Sequence, residues 1–280
     1  MKTLWTVSAL ALSGTLHGQA GWVAVTDVSN PINGINSPGL YKGAAWVDID
    51  NDGDIDLFAA PRFLFRNDGA GNFTQPSTAI GAITQQVPSG TSWADLDNDG
   101  DPDCILAQYP SSIWLNDGTG AFEEQTSAVD SLDNYAAWGC ALGDLDEDAF
   151  LDLVYAQPAG FLDPAPHRPC RLLQRNSAGV VATAKSGYAF TDATGPYTVP
   201  YWSDYDLDGD MDLFIAAGPA GTPALDYCYR NMKAETGLDT LYRMTTEQFA
   251  MDQQDGQCYN FIDIDNDEDL DLCITNYNGA

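Results

Sequence analysis

Five short acidic segments of one pattern recur along the chain, each with aspartates at positions 1, 3, 5 and 9 and an apolar run behind it. We name them loop one (48–56), loop two (95–103), loop three (144–152), loop four (204–212) and loop five (263–271). Their sequences are DIDNDGDID, DLDNDGDPD, DLDEDAFLD, DYDLDGDMD and DIDNDEDLD. Carboxylates this close repel one another unless a cation lies between them. Hard divalent ions take about six to eight oxygen ligands, so the pattern predicts up to five Ca²⁺ sites.

The predicted ligands of each loop are the side chains at positions 1, 3, 5 and 9 and the backbone carbonyl at position 7. They are Asp48, Asp50, Asp52, Asp54 and Asp56 in loop one; Asp95, Asp97, Asp99, Asp101 and Asp103 in loop two; Asp144, Asp146, Asp148, Phe150 and Asp152 in loop three; Asp204, Asp206, Asp208, Asp210 and Asp212 in loop four; and Asp263, Asp265, Asp267, Asp269 and Asp271 in loop five.

Position 6 determines how easily each loop bends around an ion. Loops one, two and four have Gly53, Gly100 and Gly209 there, and glycine accepts the positive φ of a tight turn without strain. Loop three has Ala149 and loop five has Glu268. Because a left-handed residue with a side chain costs about 1 kcal/mol, loops one, two and four are expected to be the tighter sites.

The loops resemble the first half of an EF-hand loop, but their flanks are typical of strands. The EF-hand glutamate at position 12 is absent, and loop one has Ala59 there. The runs AAW before Asp48 and LFAA after Asp56 favour β-structure. Within loop one, Ile49 and Ile55 are predicted to point inward as apolar anchors.

A second motif, an alternating apolar run before Asn-Asp-Gly and a further glycine, follows loops one and two. It occurs as FLFRNDGAGNF at 63–73 and SIWLNDGTGAF at 112–122, with weaker forms at 171–181 and 226–231. This pattern predicts a strand, a tight turn and a returning strand. The first repeat thus has predicted strands at Ala44–Trp46, Leu57–Ala60, Phe63–Arg66 and around Asn72–Thr74.

Four antiparallel strands in about fifty residues make one propeller blade. The sequence therefore predicts an all-β fold, a β-propeller of four-stranded blades with each acidic loop between the first and second strands. Helix is expected to be scarce, because no long segment carries apolar residues at helical spacing. The later loops are spaced more widely, and the extra length is expected in the Pro-rich segment 157–170 and in Met232–Leu241. Such insertions are common binding surfaces.

These motifs resemble the FG-GAP/VCBS-type repeat proteins, the calcium-loop propellers related to integrin α-chain heads, and the relatives of cartilage acidic protein. GDLDEDAFLDLVYAQP at 143–158 is similar to the integrin-like form. WVDIDNDGDIDLF at 46–58 and WADLDNDGDPD at 93–103 are similar to the bacterial VCBS-like form. The resemblance covers residues 22–280 and implies a calcium-binding propeller. Propellers of this family usually have about seven blades, whereas this chain has five loops.

The two ends are predicted separately. Residues 1–20 have Lys2, an apolar run and small residues ending in GQA, which is typical of a cleaved secretory signal peptide. Residues 21–280 are predicted to form about four complete blades and part of a fifth. Val25–Ser29 resembles the outermost strand of a blade, and Leu270–Ala280 ends after a second strand. Either the N-terminal strand closes a five-bladed ring or the propeller is truncated; truncation is favoured because an open ring exposes strand edges.

Charge and composition exclude several partners. The formal net charge is −30, and five bound Ca²⁺ ions would reduce it to about −20. Nucleic acids and anionic membranes need a basic surface, so neither is an expected partner. No segment after the signal is apolar enough for a membrane span. The predicted location is extracellular or on the cell surface.

Cysteines and candidate catalytic residues give weaker predictions. An even number of cysteines in an oxidising compartment favours disulfides: Cys258 with Cys273 across loop five is one possibility, Cys104 and Cys140 lie on neighbouring blades, and free buried thiols are the alternative. His167, the one histidine beyond the signal, is expected to be a solvated loop residue.

Two functions follow from these features. The first is a secreted calcium-binding propeller that serves as a binding or adhesion module for a protein or glycan. The second is a lyase-like polysaccharide enzyme that uses calcium to hold its substrate. No catalytic motif occurs and basic residues are scarce, which favours the non-enzymatic binder. Five aromatic residues could either form a sugar-binding face or pack within the blades. They are Tyr109, Trp114, Tyr201, Trp202 and Tyr227.

Overall fold

The computed structural model describes residues 29–34, 43–59, 63–69, 71–75, 90–107, 111–125, 137–156, 168–176, 179–218, 224–251, 253 and 256–276. The predicted signal peptide, the N-terminal strand at Val25–Ser29 (apart from Ser29), most of the insertion at 157–170 and the last four residues lie outside these ranges. The described residues form eighteen strands and two four-residue α-helices.

The first two blades have the predicted order of strands. Blade one is a sheet of β1 (Ala44–Val47), β2 (Asp56–Ala59), β3 (Phe63–Asn67) and β4 (Phe73–Thr74). Blade two repeats it with β5 (Gly90–Ala94), β6 (Asp103–Ala107), β7 (Ser112–Asn116) and β8 (Phe122–Glu124). Neighbouring strands are antiparallel and consecutive, and each acidic loop joins the first strand to the second.

Blades three and four follow the same plan with added helices. Blade three contains β9 (Gly139–Gly143), β10 (Asp152–Ala156), β11 (Arg171–Asn176) and β12 (Gly179–Lys185), and α1 (Ala189–Asp192) follows it. Blade four contains β13 (Tyr197–Ser203), β14 (Asp212–Ala217), β15 (Tyr227–Asn231) and β16 (Leu241–Arg243). Its predicted insertion holds α2 (Lys233–Thr236), between β15 and β16.

Two further strands and two short helical turns complete the described structure. β17 (Gly256–Ile262) and β18 (Asp271–Asn276) form an antiparallel pair around loop five. Turns of 3₁₀-helix occupy Pro31–Gly34 and Phe249–Met251. The first strands β1, β5, β9, β13 and β17 lie side by side in chain order, as in a propeller.

The second strand of each blade forms the core because both of its faces are covered. Every residue of β6, β10 and β14 is buried. Ile49, Leu96 and Leu145, at position 2 of loops one, two and three, are also buried, and each packs against residues of the following blade. Ile55 is 49% exposed, so its predicted inward orientation is wrong, while that of Ile49 is correct.

Buried side-chain amides connect neighbouring blades. Asn116 at the end of β7 donates from Nδ2 to the Ile49 carbonyl of loop one at 2.7 Å. Asn231 at the end of β15 makes the same bond to the Leu145 carbonyl of loop three at 3.0 Å. A buried carbonyl without a donor is costly, so each amide fixes one acidic loop against the next blade.

The structure confirms the predicted all-β class of four-stranded antiparallel blades with very little helix. Within the part of the chain that the structure describes, no helix is long and apolar enough to span a membrane.

Candidate metal centres

All five acidic loops are closed by their own first aspartate. Asp48 accepts backbone hydrogen bonds from Asp52 at 3.2 Å and from Gly53 at 3.0 Å. The first aspartates of the other four loops accept the equivalent pair at 2.9 to 3.1 Å. The fifth-position carboxylate accepts the amide of position 7 in every loop. These bonds hold the carboxylates on one side of the turn.

Two positions in each loop adopt a left-handed conformation. Position 6 does so as predicted, with φ of 90°, 98° and 103° at the three glycines, 69° at Ala149 and 74° at Glu268. Position 4 does so as well, which the sequence reasoning missed: Asn51, Asn98, Glu147, Leu207 and Asn266 have φ between 55° and 61°. Asparagine tolerates this conformation, so its presence at position 4 of three loops could have been used to predict the positive φ there.

The ninth-position aspartate is a buried link between the loop and two strands. Asp103 has no exposed surface and accepts the Leu96 amide at 2.6 Å and the Asn116 amide at 2.8 Å. Asp56, Asp152 and Asp212 are equally buried and make the corresponding pairs of bonds. The residue therefore ties the third strand of its blade to the loop, besides being a candidate ligand.

In loops one, three and four, the third-position aspartate has a buried carboxylate oxygen that lacks a hydrogen-bond donor. The Asp50 side chain is only 4% exposed, and its Oδ1 accepts no hydrogen bond. The Oδ1 atoms of Asp146 and Asp206 are also buried and also accept no hydrogen bond. Burying a carboxylate without a partner is expensive, and a cation removes that cost. An all-oxygen set with unpaired buried lone pairs fits a hard ion such as Ca²⁺.

Distances between loop oxygens are short enough for shared coordination. Oxygens of Asp48, Asp50 and Asp56 lie within 4.8 Å of one another, and so do those of Asp204, Asp206 and Asp212. In loops two and three the equivalent groups come from positions 1, 3 and 5. The structure thus brings together side chains at the predicted positions. The carbonyl ligand at position 7 stays a prediction.

Burial raises the pKa of the ninth-position aspartates in the absence of a cation. The pKa of Asp103 rises to about 6, that of Asp152 to about 7 and that of Asp212 to about 8, in each case chiefly because the carboxyl is removed from water. Neighbouring loop aspartates raise these values further. A divalent ion would favour the ionised forms and reverse the shift.

In blades one, three and four, one side chain from the third strand contacts an aspartate of the loop. In blade one, Arg66 Nε lies 2.5 Å from Asp50 Oδ2. In blade four, Arg230 contacts Asp206 at 2.7 Å and Asp208 at 3.1 Å.

Blades two and three have uncharged residues at this place. Gln174 donates to Asp146 in blade three, and Leu115 stands there in blade two. The residues that the third strands place beside the acidic loops were not predicted. Their position depends on how β3, β7, β11 and β15 pair within their blades, which the sequence does not show.

Loop five differs from the others in its surroundings. Asp265, Asp267 and Asp269 are exposed, and Asp271 is only partly buried. Ile264, at position 2, is 68% exposed, whereas the equivalent residues of the first three loops lie inside a core. Within the described ranges, no third strand follows β18 to cover this loop.

The cysteines are thiols in this structure. All six are free, and Cys104, Cys140, Cys170 and Cys228 are buried, so the expectation of disulfides is not met. Cys258 pairs with Thr275 and Cys273 with Asn260, which offsets the two sulfurs along the hairpin and explains why no bridge forms there.

A pocket of about 660 Å³ lies where the first strands of blades two, three and four meet. Four aromatic residues line it: Trp93, Trp138, Tyr201 and Trp202. Polar groups of Thr91, Ser92 and Gln257 also face it. We call this the axial pocket; its volume is in the range of small-molecule sites.

The five aromatic residues considered as a sugar-binding face are not gathered at one place. Tyr201 and Trp202 line the axial pocket. Trp114 packs against the core between blades one and two, and Tyr227 contacts Tyr197 and Arg243 within blade four. Tyr109 and His167 lie outside the described residues.

The fold and loops define a propeller-type repeat protein, and sequence comparison recognises a known repeat in part of the chain. The model of the FG-GAP-like repeat matches residues 48–106 and 95–155, which contain loops one, two and three. These residues therefore contain FG-GAP-like repeats, as their motifs predicted. The search of curated proteins found no match.

Comparison with solved structures supports the same architecture. The chain is similar to a lectin of Agrocybe aegerita, whose structure is described as the basis of specific recognition of non-reducing terminal N-acetylglucosamine. The TM-score is 0.53 at 16% identity, over 83% of this chain and 60% of the lectin. At this identity the likeness concerns the fold alone.

Proposed function

We propose that the chain is an exported, calcium-stabilised propeller that binds a neutral glycan in the axial pocket. The pocket is the observation that carries the proposal. It combines four aromatic side chains with a few polar groups, which is the composition of small-molecule sites. The apolar face of a sugar ring packs on an aromatic ring, and sugar hydroxyls need nearby polar partners.

Two further features favour this ligand class. The chain carries a formal charge of −30, which disfavours anionic polysaccharides and leaves neutral sugars. The fold is similar to that of a protein described as a lectin, although the sequence likeness is too low to transfer its sugar.

Calcium has a supporting role in the proposal. Loops two, three and four each connect to one of the strands β5, β9 and β13 that line the pocket. An ion in each loop would fix the end of its strand and thereby the position of the pocket residue two places before the loop, which is Trp93, Leu142 or Trp202. The chain binds its ligand in this proposal and does not convert it.

A glycan array probed with and without calcium tests the proposal. Binding of neutral sugars that is lost in chelator is the expected result. Trp138→Ala should weaken binding about five- to 150-fold, since truncating a key aromatic binding residue costs about 1–3 kcal/mol. Trp46→Ala is the control, because it removes the same side chain at a position that is 50% exposed and does not line the pocket.

Three results would contradict parts of this proposal. Equal losses in Trp138→Ala and Trp46→Ala would place the sugar elsewhere. Absence of any glycan ligand together with capture of a defined protein would favour a protein-binding module. Release of unsaturated sugar fragments from a polysaccharide would favour the lyase.

A further inference from the structure

The residue that the third strand of a blade places beside its acidic loop differs in charge from blade to blade. One hydrogen bond, present in all four blades, shows which residues of the third strands are equivalent. A backbone amide of the third strand donates to the ninth aspartate of the loop in the same blade, and the donors are Asn67, Asn116, Arg175 and Asn231. The preceding residues are therefore equivalent, and they are Arg66, Leu115, Gln174 and Arg230. Blades one and four have a positive charge at this position, and blades two and three do not.

The charged residues at this position contact predicted calcium ligands directly. Arg66 Nε is 2.5 Å from Oδ2 of Asp50, and its Nη2 is 3.4 Å from Oδ2 of Asp52. Both partners are predicted to ligate the ion with their side chains. The guanidinium therefore supplies positive charge to the third and fifth ligands of loop one.

Loop four also has an arginine in contact with its third and fifth ligands. Arg230 reaches Asp206 at 2.7 Å and Asp208 at 3.1 Å, and it also pairs with Glu235 of α2. Glu235 belongs to the insertion of blade four, so that insertion helps to hold the guanidinium over the loop. The Arg230 side chain is 34% exposed and that of Arg66 is 49% exposed, so Arg230 is the less screened.

Loop two has the opposite arrangement. Leu115 stands where blades one and four have an arginine, so it offers no charge to Asp97. Loop three is intermediate, because Gln174 donates a neutral hydrogen bond to Asp146. Arg175 of blade three lies buried near loop two, and its charge acts on Asp103 and Asp97, but among the described residues it forms no ion pair with a ligand of this loop. No arginine therefore competes for the loop-two carboxylates by direct contact.

We infer that Arg66 and Arg230 are built-in counter-cations, which make loops one and four weaker calcium sites and leave loop two as the tightest. This inference rests on the proposed calcium binding. An incoming ion must displace or share carboxylates that an arginine already neutralises, and this competition lowers the gain on binding. The glycine at position 6 predicts similar calcium affinities for loops one, two and four. The arginines beside loops one and four predict that these two bind calcium more weakly than loop two.

Calcium titration followed loop by loop tests the inference. In protein labelled with ¹⁵N-glycine, the amides of Gly53, Gly100 and Gly209 report on loops one, two and four, because each donates to the first aspartate of its loop. The Gly100 signal should reach its midpoint at the lowest calcium concentration. Exposed ion pairs are worth up to about 1 kcal/mol, so the midpoints should differ about two- to fivefold.

Substitutions identify the arginine as the cause. Arg66→Met should move the Gly53 midpoint about two- to fivefold lower and leave Gly100 unchanged, whereas Arg66→Lys, which keeps the charge, should move it much less. Leu115→Arg should raise the Gly100 midpoint. Unchanged midpoints in Arg66→Met and Leu115→Arg would overturn the inference while calcium binding stood. If no glycine amide responded at about 10 mM calcium, the proposed calcium binding itself would fail.

Discussion

Position 6 of the loops, which has a left-handed conformation, can be substituted without removing a predicted calcium ligand. Gly100 has a φ of 98°, and a methyl group added there would meet no atom within 4 Å. Gly100→Ala therefore introduces no clash and acts only through backbone conformation, in the folded and the unfolded chain. The strain is about 1–2 kcal/mol, and alanine recovers about 0.5–1 kcal/mol through the less flexible unfolded chain. We expect a net loss of about 1 kcal/mol in the free energy of unfolding.

Loop three provides the reverse substitution as its control. Ala149 has a φ of 69°, so Ala149→Gly should raise stability by up to about 1 kcal/mol. Urea unfolding at saturating calcium measures both changes, with an unchanged slope showing that the surface exposed on unfolding is the same. If Gly100→Ala were neutral, or if both substitutions shifted stability in one direction, strain at position 6 would not distinguish the loops.

Three further outcomes are expected. Gly143→Ala should cost about 1–3 kcal/mol with or without calcium, because its Cβ would lie 2.5 Å from the Trp202 ring; urea unfolding measures it. Asn231→Ala should cost a similar amount by leaving the buried carbonyl of Leu145 without its donor at 3.0 Å, and a loss under about 0.5 kcal/mol would contradict this. In chelator, melting temperature should fall as pH rises from about 5 to 8. The pKa values of about 6, 7 and 8 for the ninth-position aspartates Asp103, Asp152 and Asp212 exceed the pKa of an aspartate in the unfolded chain. The stability that these protonated carboxyl groups contribute is therefore complete below about pH 4, and it is lost as the pH rises through the three folded-state pKa values. Saturating calcium should abolish this fall.

Local patterns in the sequence were sufficient to predict the blades. Alternating apolar residues and the Asn-Asp-Gly turn place β3 and β4 of blade one within one residue of their observed bounds. The loop between β1 and β2, with its positive φ at Gly53, was predicted for the same reason, since turn geometry depends on residues close in sequence.

Features that depend on contacts between distant segments were not predictable. Arg66 lies sixteen positions after Asp50 and meets it only when β3 pairs with β2. The axial pocket combines Trp93 with Trp202, which belong to blades two and four. Ile55 was misplaced because alternation alone does not say which face of the loop the next blade covers.

Thermal unfolding in calcium and in chelator, combined with metal analysis, tests the central claim that calcium is a folding ligand. A site with a dissociation constant of about 0.1 mM contributes about 1.4 kcal/mol at about 1 mM calcium, so five sites reach about 7 kcal/mol. That is comparable with the whole stability of a domain, about 5–15 kcal/mol. We predict a melting temperature more than about 10 °C lower in chelator, restored by added calcium, and at least two bound ions per chain. A melting temperature indifferent to chelator, in a protein that retains fewer than two ions, would contradict the claim.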